Sequence, residues 1–113
     1  MSYRAAVCTA LTGPESIKIE TRERAPLKPG EVRIAIKAAG LNFPDLLMTY
    51  GKYQFRPDPP FIPGMEFSGE IIEIADGVTA FKKGDAVMGG GKGDCISEQA
   101  VVSVAALVVK PDA

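Results

Sequence analysis

The chain holds no histidine, so any chemistry it does must come from its tyrosines, lysines, carboxylates and two cysteines. Without histidine, Ser-His-Asp and Cys-His nucleophilic catalysis is closed to the chain. So are the commonest metal ligand and the usual proton shuttle near neutral pH. Proton chemistry must run through Tyr, Lys, Asp, Glu, a cofactor hydroxyl or water. A phenol, with an ordinary pKa of ~10, can give a proton to an enolate-like intermediate, whereas an ionised Asp or Glu has none to give. The two cysteines, Cys8 and Cys95, are too far apart in sequence to suggest a disulfide framework or a metal cluster. They read as reduced thiols of a cytoplasmic protein. Cys95 follows the run Gly89-Gly90-Gly91-Lys92-Gly93, in a loop where it would be reactive if exposed, though no neighbour in sequence lowers its pKa. The glycine run is not a phosphate loop. Lys92 is followed by Gly93 rather than Ser or Thr, and Ala86 stands where the first glycine belongs. A mobile hairpin connection is the expectation there.

These side chains must be positioned by a framework that is mostly β. From Glu31 to Ala39, Val32, Ile34, Ile36 and Ala38 fall on one face of an alternating pattern, with Arg33 and Lys37 on the other. Ser16 to Glu20 alternates likewise. Tyr3 to Leu11, Phe67 to Ala75, Asp85 to Gly89, Glu98 to Val104 and Leu107 to Lys110 are further strand candidates. Turn chemistry separates them at Thr12-Gly13-Pro14, Lys28-Pro29-Gly30, Ala75-Asp76-Gly77 and Lys83-Gly84-Asp85. Short strands punctuated in this way suggest a partly closed barrel or a sandwich. One short helix is expected from Pro44 to Tyr50, opened by proline and ended by Gly51. Prolines at 57, 59, 60 and 63 leave an ordered loop from Arg56 to Gly64.

At 113 residues the chain suits one domain, spanning residues 1–113, with enough length for a core. A net charge of −1 with no basic stripe argues against nucleic acid or an anionic membrane surface as partner. No apolar run reaches the ~20 residues that would cross a bilayer. The start, Met1-Ser2-Tyr3-Arg4, has no signal-peptide pattern.

Two segments carry a family resemblance: Gly40-Leu41-Asn42-Phe43-Pro44-Asp45 and Gly64-Met65-Glu66-Phe67-Ser68-Gly69. They resemble the Gly-x-Cys-x-x-Asp and Gly-His-Glu-x-x-Gly catalytic-zinc motifs of the medium-chain alcohol dehydrogenases. Asn42 stands at the Cys position and Met65 at the His position. An amide replaces a thiolate poorly on zinc, as a thioether does an imidazole. Lys28-Pro29-Gly30-Glu31-Val32, Gly77-Val78-Thr79 and Phe81-Lys82-Lys83-Gly84-Asp85-Ala86-Val87 extend the likeness in the family's order. No four-Cys structural zinc lobe follows. The chain therefore resembles the zinc-independent quinone oxidoreductases and enoyl reductases.

That resemblance implies a mainly β fold, a GroES-like, partly open β-barrel with one or two short helices. It implies an NADPH-dependent hydride transfer to a quinone or α,β-unsaturated carbonyl, no catalytic metal, and a full-length homodimer. No strand leads into Gly-x-Gly-x-x-Gly, so the Rossmann half of the family is expected to lie outside this chain. By the same resemblance Asn42, Phe43 and Pro44 border the cofactor, Asn42 and Tyr53 are the catalytic candidates, and Leu47, Tyr53, Phe61 and Met65 line the substrate cleft. Each has a plainer alternative. Asn42 can be a helix cap, Tyr53 an aromatic lid, Met65 a filler of space, and Glu66 an acceptor for backbone amides or a basic group. Tyr50 reads as packing. A stand-alone or co-chaperonin-like barrel, and a zinc dehydrogenase with lost ligands, are the alternative readings of the whole.

Overall fold

The computed structural model describes residues 1–90 and 93–111. Among these residues seven strands run in the order β1 (Ser2–Cys8), β2 (Ile17–Glu23), β3 (Glu31–Gly40), β4 (Glu66–Ile74), β5 (Ala86–Gly90), β6 (Gln99–Ser103) and β7 (Leu107–Val109). One α-helix among the described residues, α1 (Phe43–Thr49), sits between β3 and β4, and two 3-10 turns, Pro14–Ser16 and Val104–Ala106, precede β2 and β7. Each expected strand is present, with ends shifted by no more than three residues. The largest shifts are in β1, which stops at Cys8 rather than Leu11, and in β2, which runs on to Glu23 rather than Glu20.

β3 is the longest strand and the centre of the architecture. It pairs antiparallel with β4 on one side and β6 on the other, in a five-stranded sheet ordered β6-β3-β4-β5-β7. β1 and β2 form a separate antiparallel ribbon. The ribbon closes against the large sheet where Ala5 bridges Ser97 and the Ala6 N–H donates to the Ile96 carbonyl at 2.9 Å. No ladder joins the edge strands β6 and β7 among the described residues, so the barrel is partly open. The fold is mainly β and partly open, as the resemblance implies.

Val32 and Ile34 of β3, Phe67 and Ile71 of β4, Val87, Leu107 and Cys95 make the core. Each core aliphatic contributes roughly 1.5–3 kcal/mol by leaving water. Two register shifts bend the β3–β4 ladder. One leaves Ile72 without an opposite partner, and the other does the same to Lys37. Each extra residue twists its strand. The shift at Lys37 also ends the simple alternation, and Ala38 is exposed rather than part of the core face. Arg33 departs from the expected solvent face as well. It is 2% exposed, because its guanidinium is held by Glu73 and by the carbonyl of Ala25.

α1 begins at Phe43, one residue before the expected start. Pro44 lies in the first turn, where a backbone N–H has no intrahelical acceptor to miss. Gly51 ends it with φ +70°. The Gly51 N–H donates to the Met48 carbonyl at 3.0 Å and the Lys52 N–H to the Leu47 carbonyl at 2.9 Å. That pair of bonds is the Schellman arrangement, which favours glycine at the left-handed position.

Candidate active site

The last residue of β3 and the first of β4 are paired, Gly40 opposite Glu66. The segments that leave this pair, Leu41-Asn42 toward α1 and Met65-Gly64 back toward the loop, therefore start side by side. Asp45, on the first turn of α1, ties them. Its Oδ2 accepts from the Asn42 N–H at 2.8 Å, and its Oδ1 accepts from the Gly64 N–H at 3.2 Å. Asp45 is 4% exposed. A buried carboxylate needs such donors, since leaving it unpaired would cost several kcal/mol.

Gly64 is needed at its position. Its φ is +107°, and a Cβ there would lie 2.8 Å from the Ile96 amide nitrogen. The Gly64 carbonyl accepts from the Cys95 N–H at 3.2 Å, and the Pro63 carbonyl from the Ile96 N–H at 3.0 Å. The Pro63-Gly64 segment is thus held from both sides, and Met65, half-buried, follows it directly.

Asn42 is the N-cap of α1 and is exposed. With Leu41, Leu46 and Thr49 it faces Pro14, Ile17 and Pro63 across an almost wholly apolar cleft of about 180 Å³. Phe43 is 68% exposed and Leu41 72%, an apolar shelf beside the amide. Pro44 and Leu47 are half-buried on α1. Tyr53 is half-buried in the turn that follows Gly51. Tyr50 packs over Gly13, where a Cβ would come within 2.7 Å of its ring, and the Lys52 ammonium stands 5.9 Å from the ring centre.

Phe61 lies apart from this group. It exchanges backbone hydrogen bonds with Cys8, at 2.7 and 3.1 Å, and lines a different cleft with Pro57, Asp94 and Val101. The structure therefore ties the backbone at Asn42 and at Gly64, just before Met65, to the first turn of α1, and places Phe61 on another wall.

Glu66 does not bind amides or a basic group among the described residues. It is exposed, and its carboxylate folds over the Cα of Gly40. The amide-binding role expected of it belongs to Asp45. The clue to Asp45 was present in Asn42-Phe43-Pro44-Asp45, the cap-and-third-residue spacing of a capping box.

Cys95 is 2% exposed. Burial first, and then the carboxylates of Asp94, Asp45 and Glu66, push its thiol up to about 11. Burial also raises the Cys8 thiol above its ordinary value. Neither is a nucleophile near neutral pH, which answers the question of reactivity left by the glycine-rich loop. Gly91 and Lys92 of that loop lie outside the described residues. No cluster of three or more Cys, His, Asp or Glu side chains suited to a metal occurs among the described residues.

Comparison with known proteins agrees with the fold. Residues 28–111 match the alcohol dehydrogenase GroES-like domain. The chain is 41% identical over 109 residues to a quinone oxidoreductase-like protein 2 homolog of Nematostella vectensis, covering 94% of this chain and 29% of that protein. It is similar to the crystal structure of a human synaptic vesicle membrane protein VAT-1 homolog-like protein, with a TM-score of 0.94 and 30% identity over 99% of this chain and 36% of the other. The quinone oxidoreductase of Thermus thermophilus, whose structure was also solved in complex with NADPH, gives a TM-score of 0.81 at 31% identity, over 96% of this chain and 32% of the other. The chain spans less than a third of the length of the curated relatives it matches. A match over most of the sequence, together with the observed strand order and glycine-framed segments, places the chain in the alcohol dehydrogenase GroES-like domain family.

Proposed function

We propose that residues 1–113 are the GroES-like catalytic domain of a longer, zinc-independent, NADPH-dependent oxidoreductase that reduces a quinone or an α,β-unsaturated carbonyl. The observation that carries this reading is the pair Asn42 and Met65. They stand on adjoining segments tied by one carboxylate, at the positions that the resemblance gives to the family's zinc ligands, and neither is a good zinc ligand. The relatives support the acceptor class, since two are named for quinone oxidoreduction.

The residues present fit one end of a nicotinamide cofactor. Exposed Leu41 and Phe43 offer apolar surface to a flat ring, and Asn42 beside them offers both a donor and an acceptor to a carboxamide. The phosphates have no such cradle here, because α1, with seven residues, is the only α-helix among the described residues. When bound, reduced nicotinamide supplies the hydride. The chain's own residues supply placement and protons. Asn42 orients the reacting pair, Met65 and Leu47 exclude water, and the Tyr53 phenol gives a proton to the oxygen of an enolate product. With an amide and a thioether at the ligand positions, the acceptor must already be electron-poor. A cytoplasmic homodimer belongs to the same reading, and the two free, buried thiols support a reducing compartment.

The test is NADPH consumption by the full-length enzyme with a quinone and with an enone. Turnover of either without added metal is expected. Zinc-dependent oxidation of a simple alcohol, with neither acceptor reduced, would overturn the proposal.

A further inference from the structure

Asn42 and Gly64 are separated by α1 and by a proline-rich loop with no helix or strand of its own, yet one side chain reaches the backbone of both. The Asp45 carboxylate gives one oxygen to each amide. No lysine or arginine pairs with it among the described residues. Its hydrogen bond to Gly64 spans 19 residues of sequence. The first amide belongs to Asn42 itself, and the second to the residue immediately before Met65.

We infer that Asp45 is a positioning residue whose single carboxylate sets the separation of Asn42 from Met65. It does not touch the reacting pair. It acts by holding the backbone at one residue and beside the other, and the deduction rests on the reading that these two side chains border the reaction.

The chemistry of the clamp allows little substitution. Both bonds need acceptors, and an ionised carboxylate is acceptor-only at both oxygens. Asparagine would turn an NH2 toward one of two N–H groups, so one amide would lose its partner. Glutamate would add a methylene where Asp45 is 4% exposed. On the far side of Gly64 the backbone is already anchored by Cys95 and Ile96. The free variable is therefore the distance from that anchor to α1, and Asp45 spans it.

Two measurements on the 113-residue chain test the clamp. In the unaltered chain, NMR couplings across hydrogen bonds should connect the Asp45 side-chain carboxyl carbon with the amide nitrogens of Asn42 and Gly64. Their absence at both would overturn the clamp, whatever a variant does. In Asp45→Asn, amide exchange at Asn42 or Gly64 should quicken by about 10-fold or more, while the Lys52 amide at the other end of α1 keeps its rate. Equal acceleration at all three would mean a general loss of stability and would also overturn it. The consequence is read in the full-length enzyme. Asp45→Asn should lower kcat by about 10-fold or more with KM changed by less than about 3-fold, as misplacement of reacting groups does. An intact clamp signature with kcat unchanged would remove the positional role of Asn42 and Met65 and leave NADPH-dependent reduction itself standing.

Discussion

The carboxylate of Glu66 lies over the Cα of Gly40, its partner across the β3–β4 ladder, in the space a Cβ would occupy. The glycine that opens the Asn42 segment thus makes room for the first residue of β4. Gly40→Ala should force aside only the flexible, exposed end of Glu66 and cost no more than about 1 kcal/mol in denaturant unfolding. Glu66→Ala, at an exposed position, should change stability little, and the double variant should recover most of the loss. A double variant as unstable as Gly40→Ala alone would mean that the backbone, not Glu66, meets the added methyl.

Zinc should not be retained. On the reading that puts Asn42 and Met65 at the ligand positions, elemental analysis after dialysis should find far less than one zinc per chain. Near-stoichiometric zinc that survives dialysis would sink the zinc-free reading.

Tyr53→Phe in the full-length enzyme keeps the ring and removes the hydroxyl. The rate with an enone or enoyl substrate should fall by ~10²-fold, the range for a lost general acid. A quinone should suffer less, because its hydroquinone anion can take a proton from water. Equal and small losses on both would reduce Tyr53 to a lining residue.

Cys95 and Cys8 should resist a thiol reagent in the native chain and react once it is unfolded. The Cys95 thiol has an ordinary value of 9.0 and is pushed up to about 11 in the fold. The unfolded chain therefore ionises first, and stability should decline as pH rises from 9.0 toward about 11. Cys95→Ala should lessen that slope. A slope unchanged by the substitution would show that another group causes it.

Glu73 is held below its ordinary 4.5 chiefly by its hydrogen bond from Arg33, at 2.6 Å. A lowered carboxylate stabilises the fold above the unfolded value, and that contribution goes as pH falls below 4.5. Glu73→Gln should remove this part of the acid sensitivity. It should also destabilise more than Arg33→Met, since it strips the counter-charge from a buried guanidinium, whereas the half-exposed Glu73 left by the other change is solvated. The reverse order in unfolding experiments would contradict the pairing.

The strands and α1 were legible in the sequence because their causes are local. Alternation marks a face every second residue, Pro44 suits a first helical turn, and Gly51 takes a φ that other residues resist. The amide at 42 and the thioether at 65 were legible for the same reason, since ligand chemistry belongs to residue type. Arg33, Cys95, Phe61 and Asp45 were decided by the tertiary structure. The β3 pattern put Arg33 toward water, but the Ala25 carbonyl and Glu73 enclose it. Cys95 followed a glycine run that left its exposure open, and the Pro63-Gly64 segment hydrogen-bonds to Cys95 and Ile96 where Cys95 is buried. Phe61 is two residues from Pro63, yet its pairing with Cys8 turns it into another cleft. Asp45 reads locally as the third residue of a capped helix, while its bond to Gly64 depends on where a long proline-rich loop returns. Such contacts join residues far apart in the chain, and the bulges and loop paths that bring them together act on the whole sheet rather than on neighbours in sequence.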